Sequence, residues 1–162
     1  QIGLFDAVML IAGDMIGSEL PVRTYVLSPE RESGGTTTRL NDASVVLKLS
    51  YGRTSVLFPG DAEVDAEAGM VARYGALLDS DLLKAGHHGS KTSSTAEFLS
   101  MVTPAHTIIS AGEGNSFGHP SGSVLERLGA MASIVNRTDL SGAAVYESDG
   151  TAWRRVDRGE WP

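Results

Sequence analysis

The spacing of apolar and polar positions predicts a chain of short strands that alternate with helices. From residue 44 onward the order is strand, strand, helix, strand, helix, strand, helix, strand, strand, strand. The first pair, 44–50 and 54–58, flanks Tyr51-Gly52-Arg53, and this short separation favours a hairpin. A further strand is expected over 22–27, before Ser28-Pro29. Because helices fall between most of the strands, the pattern indicates an α/β domain in which helices cover a mixed sheet.

Three helices are predicted from apolar periodicity and from the residues at their ends. The first covers 65–74 and meets Gly75, a residue suited to end a helix. Ser94 and Glu97 have capping-box spacing for a second helix, which Pro104 closes. Ser121 is expected to cap the third helix, whose apolar side is Val124, Leu125 and Leu128. The remaining strands are placed at 81–85, 106–110, 134–135, 143–146 and 151–154.

The sequence pattern predicts no definite helix or strand for two segments in the first forty residues. The apolar run 7–12 fits a buried strand and part of a helix equally well. The segment 30–40 is charged, then rich in glycine, then rich in threonine. We expect a mobile surface loop there.

Composition narrows the class of protein. The 162 residues are 41% hydrophobic and 20% charged, which suits one globular domain. The formal charge of −7 has the wrong sign for holding nucleic acid by phosphate neutralisation alone, so metal ions or another domain must supply positive charge. The absence of cysteine excludes disulfides, cysteine-ligated zinc, iron–sulfur clusters and thiol nucleophiles. No apolar run reaches the roughly 20 residues of a membrane span, and no signal peptide is evident.

Histidine and aspartate residues follow three successive predicted strands. Asp61 follows the second strand of the hairpin, His87 and His88 follow the next strand, and His119 lies in the glycine-rich loop after the strand that comes next. In α/β proteins such strand ends converge on one edge of the sheet, where ligands usually bind. Imidazole and carboxylate groups suit zinc, manganese or iron. The sequence therefore predicts that Asp61, one of His87 and His88, and His119 form part of a metal site.

Structural explanations compete with these assignments. Paired histidines at a strand end can hydrogen-bond the backbone, and Gly-Asp is a common turn. The acidic residues within 61–67 are more typical of a solvated helix start than of a calcium loop, because the D-x-D-x-D-G pattern is missing. A serine hydrolase is disfavoured because Ser90 does not lie in a G-x-S-x-G elbow. His106 alternates into a strand and is expected to be structural.

Four motifs occur in a fixed order along the chain. They are NDASVVL at 41–47, LFPGD at 57–61, LKAGHHGSKTS at 83–93, and ISAG at 109–112 followed by Asn115 and Gly118-His119-Pro120. Together they resemble the C-terminal metallo-β-lactamase-fold domain of the ComEC family, bacterial competence proteins of DNA internalisation. The resemblance covers roughly residues 20–155, and it rests on the order and spacing of the motifs, since each alone is weak.

The resemblance implies a fold and an activity. The fold is a metallo-β-lactamase-like αββα sandwich, of which this chain is mainly the C-terminal half, as one partial domain over 1–162. The activity is metal-dependent hydrolysis of a phosphodiester, with a single strand of DNA as the substrate during uptake. The cofactors are divalent ions, zinc or manganese, two in the complete site.

The resemblance also implies roles for individual residues. Asp61 is expected to bridge the two ions and to position the attacking hydroxide. His87 and His119 are the first choices for the other metal ligands, and His88 is expected to donate a proton to the leaving oxygen. Which of the three histidines bind metal stays open. The residues expected to contact substrate or to orient the ligands are Asn41, Ser44, Ser90, Lys91 and Asn115.

One feature of the superfamily is missing from the sequence. Its H-x-H-x-D-H motif, or the H-x-D-x-D-H variant, should precede Asp61, yet no histidine occurs before His87. The first half of the sandwich is therefore expected to be absent, and the start at Gln1 also favours a fragment of a longer protein. By resemblance, the parent is a bacterial inner-membrane protein with a channel. This chain itself is expected to be soluble without membrane contact, with DNA and the rest of the parent as its partners.

Two other functions stay open beside the nuclease. The same fold hosts hydrolysis of lactones and other esters, because fold does not determine substrate. A non-catalytic module that binds DNA or a partner after loss of its metal site is the third possibility, and the missing upstream motif favours it if the chain is complete.

Overall fold

A computed structural model describes residues 15–16, 21–29 and 40–160. The predictions made for 7–12 and for 30–39 lie outside these residues. The described residues form nine strands and four α-helices. The strands are β1 Met15–Ile16, β2 Val22–Ser28, β3 Val46–Tyr51, β4 Thr54–Phe58, β5 Leu82–Lys84, β6 His106–Ile109, β7 Ile134–Arg137, β8 Val145–Ser148 and β9 Trp153–Val156. The helices are α1 Val64–Tyr74, α2 Ala96–Val102, α3 Gly122–Ala130 and α4 Thr138–Ser141.

The strands β1 to β7 form one mixed sheet in which spatial order follows chain order. Pairs from β1 to β4 are antiparallel, and pairs from β4 to β7 are parallel. The predicted hairpin is confirmed: Tyr51 pairs with Thr54, so Gly52 and Arg53 alone make the turn between β3 and β4. Each parallel connection carries one helix, as the alternating pattern predicts, and the carboxyl ends of β4, β5 and β6 therefore share one edge.

The hydrophobic core lies between the sheet and its helices. Its fully buried members include Leu57, Leu83 and Ile109 from the strands, packed with residues of α1, α2 and α3. The hairpin of β8 and β9 contacts the large sheet, where the hydroxyl oxygens of Ser148 and Thr54 lie 2.6 Å apart. Its Tyr146 hydroxyl accepts a 2.6 Å hydrogen bond from Asn136, and its ring lies 5.6 Å from that of His106.

The start of α2 differs from the prediction. Thr95, not Ser94, is the N-cap, and its Oγ1 accepts from the Phe98 N–H at 3.3 Å. Ser94 is buried with φ +52°, and its N–H donates to Oε1 of Glu67 at 2.5 Å. The Thr95 N–H donates to the other carboxylate oxygen of Glu67 at 2.8 Å. The buried carboxylate on α1 thus takes both N–H groups and moves the helix start by one residue.

The other predicted helix ends are confirmed, with one addition. Gly75 ends α1 at φ +48°, and the hydroxyl of Ser121 accepts from the Val124 N–H at 3.4 Å at the start of α3. The first turn of α1 is capped from elsewhere, because Oδ1 of Asp42 accepts from the backbone N–H groups of Glu63 and Ala66. A carboxylate at this end is favoured by the helix dipole.

Candidate metal centre

The three segments that carry the predicted site residues lie side by side at the carboxyl ends of β4, β5 and β6. The His87 N–H donates to the carbonyl of Gly60 at 3.0 Å, which ties the second segment to the first. The Ser121 N–H donates to the carbonyl of Gly89 at 2.9 Å, which ties the third segment to the second. The predicted convergence of these strand ends is therefore present in the structure.

The two adjacent histidines form a tight left-handed turn. His87 has φ +44° and His88 has φ +54°, a conformation that costs a residue with a side chain roughly 1–2 kcal/mol. Hydrogen bonds hold the turn from both sides: the buried Ser93 hydroxyl donates to the carbonyl of Gly86 at 2.7 Å, and the Ser90 N–H donates to that of His87 at 2.8 Å. Strain of this kind is typical of sites in which side-chain direction matters.

Close contact between Gly89 and Pro120 brings the third segment to this turn. A Cβ on Gly89 would lie 2.7 Å from the Cβ of Pro120, and Gly89 has φ +81°. Both the conformation and the space therefore require glycine here. Because Pro120 follows His119 directly, this contact sets how near His119 comes to the two histidines of the turn.

His88 and Asp61 face each other across the site. Nε2 of His88 lies 4.0 Å from Oδ1 of Asp61, and both side chains are about half exposed. Nδ1 of His88 lies 2.6 Å from the carbonyl oxygen of Ser110. A carbonyl only accepts, so Nδ1 carries the hydrogen and donates. Nε2 is therefore the ring nitrogen that faces the carboxylate: it has a free lone pair when the ring is neutral and donates a hydrogen when the ring is charged.

His87 is oriented by Glu63. Its Nδ1 lies 3.1 Å from Oε1 of Glu63, and the same oxygen accepts from the Thr92 hydroxyl at 2.9 Å and the Asn41 amide at 3.2 Å. The hydrogen bonds from Thr92 and Asn41, followed by that from His87, lower the pKa of Glu63. The ionised carboxylate therefore keeps the hydrogen of His87 on Nδ1 and leaves Nε2 available.

His119 completes a row of imidazole rings. Its ring centroid lies 5.8 Å from that of His87, and the centroids of His87 and His88 are 6.4 Å apart. Burial lowers the pKa of His119, and the nearby His87 and His88 lower it further. These effects favour the neutral imidazole of His119, the form in which histidine binds a metal ion.

The other predicted site residues surround these side chains. The Ser44 hydroxyl accepts from the Asp61 N–H at 3.2 Å, and the Ser90 hydroxyl is paired with that of Thr92 at 2.9 Å. Asn115 donates to the carbonyls of Gly112 and His119 and accepts from the His119 N–H, so it closes its own loop. Lys91 is exposed on the turn after the histidines.

Sequence reasoning missed Glu63 and Lys84. Glu63 was treated as one of the acidic residues at the start of a helix, yet it accepts hydrogen bonds from three separate segments. Its position two residues after Asp61, before the helix begins, is the signal that was available.

Lys84 is half-buried, which lowers its pKa, while the charge of Asp61 raises it. A cation therefore lies near the carboxylate at this edge of the sheet.

The donor chemistry fits a divalent metal, but the described residues do not complete a ligand set. Within them, no group of three or more histidine, aspartate or glutamate side chains is arranged closely enough to hold an ion. Zinc takes nitrogen and oxygen ligands at about 2.0–2.2 Å, so two ligand atoms 4.0 Å apart contact one ion only at an angle of roughly 140–180°, wider than the tetrahedral angle. Asp61 and His88 would have to move closer for tetrahedral binding.

One family model and several known proteins match this chain in sequence. The family model described as the metallo-beta-lactamase superfamily matches residues 20–113. The chain is 41% identical over 106 residues to competence protein ComA of Neisseria gonorrhoeae, covering 65% of this chain and 15% of that protein. It is 37% identical over 122 residues to ComE operon protein 3 of Bacillus subtilis, covering 75% and 15%. It is 42% identical over 102 residues to recombination protein 2 of Haemophilus influenzae, covering 63% and 13%.

These comparisons confirm the predicted resemblance and the predicted fold class. The chain spans only 13–15% of the length of these three relatives. Across the described part of the chain, no helix combines the length and the apolar character needed to cross a bilayer.

Proposed function

The chain belongs to the metallo-beta-lactamase superfamily, and we propose that it is part of a metal-dependent phosphodiesterase that acts on a DNA strand during competence-related DNA uptake. The family supports hydrolase chemistry, and the names of the relatives support the biological setting. The observation that carries the proposal is the convergence of Asp61 and three histidines at the carboxyl ends of β4, β5 and β6: Nε2 of His88 lies 4.0 Å from Oδ1 of Asp61, and the ring centroids of His87 and His119 are 5.8 Å apart.

We propose that Asp61, His87 and His119 hold the metal, with further ligands from outside the described residues. Carboxylate and neutral imidazole are ligands that zinc and manganese accept. A divalent ion, when bound, supplies a Lewis acid that polarises a phosphoryl oxygen and makes water a stronger nucleophile near pH 7.

The residues of this chain have separate roles in the proposed reaction. Asp61, held at its backbone by Ser44, positions the attacking water and accepts its hydrogen bond. Glu63 keeps the ring of His87 in one orientation through Nδ1. His88 is half-exposed and, when protonated at Nε2, donates to the leaving oxygen of the phosphodiester. Lys91, exposed on the same turn, supplies positive charge to the DNA backbone.

The first experiment is elemental analysis of the purified chain beside Asp61→Ala and His87→Ala. Asp61 is 45% exposed, so its removal is expected to leave the fold intact, which circular dichroism checks. Asp157→Ala, an exposed aspartate on the segment after β9, is the matched control. Stoichiometric zinc or manganese in the wild type and the control, lost in the two variants, supports the proposal. Metal that is retained in Asp61→Ala overturns the assignment of Asp61.

A panel of substrates separates the enzymatic alternatives. With metal added, cleavage of single-stranded DNA in preference to lactones and carboxylic esters supports the phosphodiesterase, and the reverse preference supports another ester as the substrate. Loss of the DNA cleavage in Asp61→Ala, in the longest form of the protein that expresses, connects the activity to this site.

A non-catalytic module is the second candidate. The observation in its favour is that the described residues do not by themselves bring three metal ligands together. A wild-type chain that takes up no metal, cleaves no substrate and still binds single-stranded DNA would support this candidate over the hydrolase.

A further inference from the structure

Phe117 is an aromatic side chain that the structure leaves in solvent beside the candidate metal centre. Its relative exposure is 80%, against 39% for Phe58, the other exposed aromatic side chain among the described residues. It lies in the loop after β6, two residues before His119. A single exposed apolar side chain is common on a protein surface, so what distinguishes Phe117 is its position beside the candidate metal centre.

The loop that carries Phe117 has a defined conformation. Asn115 donates to the carbonyls of Gly112 at 2.9 Å and His119 at 2.7 Å, and its Oδ1 accepts from the His119 N–H at 3.0 Å. Phe117 therefore sits inside a small ring of hydrogen bonds that closes on both sides of it. These hydrogen bonds fix the backbone on both sides of the residue that carries the ring.

The ring of Phe117 also lies next to the rings of the candidate metal centre. Its ring stacks on that of His119, with centroids 6.0 Å apart and an angle of 20° between the planes. His119 is in turn 5.8 Å from His87. Phe117 is thus the outer member of a row of rings that leads to the candidate metal ligands.

The charge of the chain limits how it can bind DNA. With a formal charge of −7, contacts to phosphates supply little affinity without metal ions, so contacts to the bases must supply more. Proteins that bind single strands without reading sequence use exposed aromatic rings on which bases stack. Every base has a flat face, so a single ring next to the site serves a substrate of any sequence.

We propose that Phe117 is a stacking platform for a nucleobase of single-stranded DNA, next to the phosphate that lies at the metal centre. The proposal rests on the proposed function and specifies its substrate: a strand with unpaired bases, which a duplex does not offer. The base stacks on the face of the Phe117 ring that is opposite His119.

The test compares binding of two DNA strands by three variants. The probes are a fluorescently labelled phosphorothioate strand of thymidines, which resists cleavage, and the same strand without bases. Phe117→Ala removes the ring, Phe117→Leu keeps apolar volume without a ring, and Phe117→Trp keeps a ring. Leu140→Ala, an exposed apolar residue on α4, is the control. Dissociation constants come from fluorescence anisotropy in the presence of manganese.

We expect Phe117→Ala and Phe117→Leu to weaken binding of the thymidine strand about 10-fold, since one stacked base is worth roughly that factor. Phe117→Trp and Leu140→Ala should bind within about 2-fold of the wild type, and the baseless strand should not distinguish any of the variants. Equal losses on both strands, wild-type binding by Phe117→Leu, or no binding of DNA by the wild type would each overturn the proposal.

Cleavage assays separate this proposal from the proposed function. If the wild type cleaves ordinary thymidine and baseless strands equally well, the phosphodiesterase stands and the stacking role fails. If it cleaves neither strand but shows the ring-dependent binding, the stacking role stands and the phosphodiesterase fails.

Discussion

Replacement of Glu67 tests how a buried carboxylate on α1 holds the start of α2. Glu67 is fully buried on α1, and its two carboxylate oxygens accept from the N–H groups of Ser94 and Thr95 at 2.5 and 2.8 Å. Glu67→Ala leaves both donors without an acceptor, at about 1–3 kcal/mol for each buried donor. Because Thr95 is partly exposed, water replaces part of the hydrogen bond that its N–H loses. We expect the free energy of unfolding to fall by about 2–5 kcal/mol, a large part of the stability of an ordinary domain.

Urea denaturation followed by circular dichroism measures this effect. Glu67→Gln is the companion variant, because it keeps one acceptor oxygen and should cost less than Glu67→Ala. Glu126→Ala removes an exposed glutamate of α3 and should stay within about 0.5 kcal/mol of the wild type. If Glu67→Ala lies within the same range as Glu126→Ala, the carboxylate does not hold the start of α2 and the reasoning is refuted.

Three further predictions concern the site, the close contact of its loops and pH. Glu63→Gln removes the charge that holds the hydrogen of His87 on Nδ1, so zinc affinity measured by calorimetry should fall about 10- to 100-fold. The control variant Glu97→Gln should bind zinc with unchanged affinity. Equal zinc affinities of Glu63→Gln and the wild type would contradict this role of Glu63. Gly89→Ala places a methyl group 2.7 Å from the Cβ of Pro120 at φ +81° and should lower the free energy of unfolding by about 2 kcal/mol or more. Gly129→Ala on α3, with open space around its Cβ, should raise the free energy of unfolding by about 0.5–1 kcal/mol. In urea melts, a rise for Gly89→Ala or a fall for Gly129→Ala would contradict the corresponding estimate. Burial raises the pKa of Glu67 in the folded state, so the folded chain binds more protons than the unfolded chain above the ordinary carboxyl pKa. The stability of the wild type relative to Glu67→Gln should therefore fall as pH rises from about 4.5 through the folded-state pKa, and a difference that is constant with pH would show that burial does not shift this group.

The order of elements was predictable from local signals, because periodicity and end residues act within a few positions. Gly75 and Ser121 mark helix ends through their own backbone and side chain, and both predictions are confirmed. Placing Asp61, His87 and His119 at strand ends then needed only the rule that neighbouring parallel strands share an edge.

Contacts between distant segments were not predictable in this way. The cap of α1 comes from Asp42, whose Oδ1 accepts from the Glu63 N–H 21 positions further along the chain, and nothing in the local sequence marks this pairing. The start of α2 moved to Thr95 because Glu67, 28 positions away, binds the N–H group of Thr95. Glu63 became the centre of three hydrogen bonds only because the fold brings Asn41, His87 and Thr92 to one oxygen.

The agreement between strand order in space and along the chain has a consequence for how the domain forms during synthesis. Partners in the parallel part of the sheet are separated by only 24 to 28 positions, as in the pairs of Leu82 with Val56, His106 with Leu82 and Ile134 with His106. Each strand can therefore dock on an edge that the preceding residues have already built while the chain leaves the ribosome. His119 follows the third of the strands that bear the site, so the residues of the candidate centre can assemble before β7, β8 and β9 have left the ribosome.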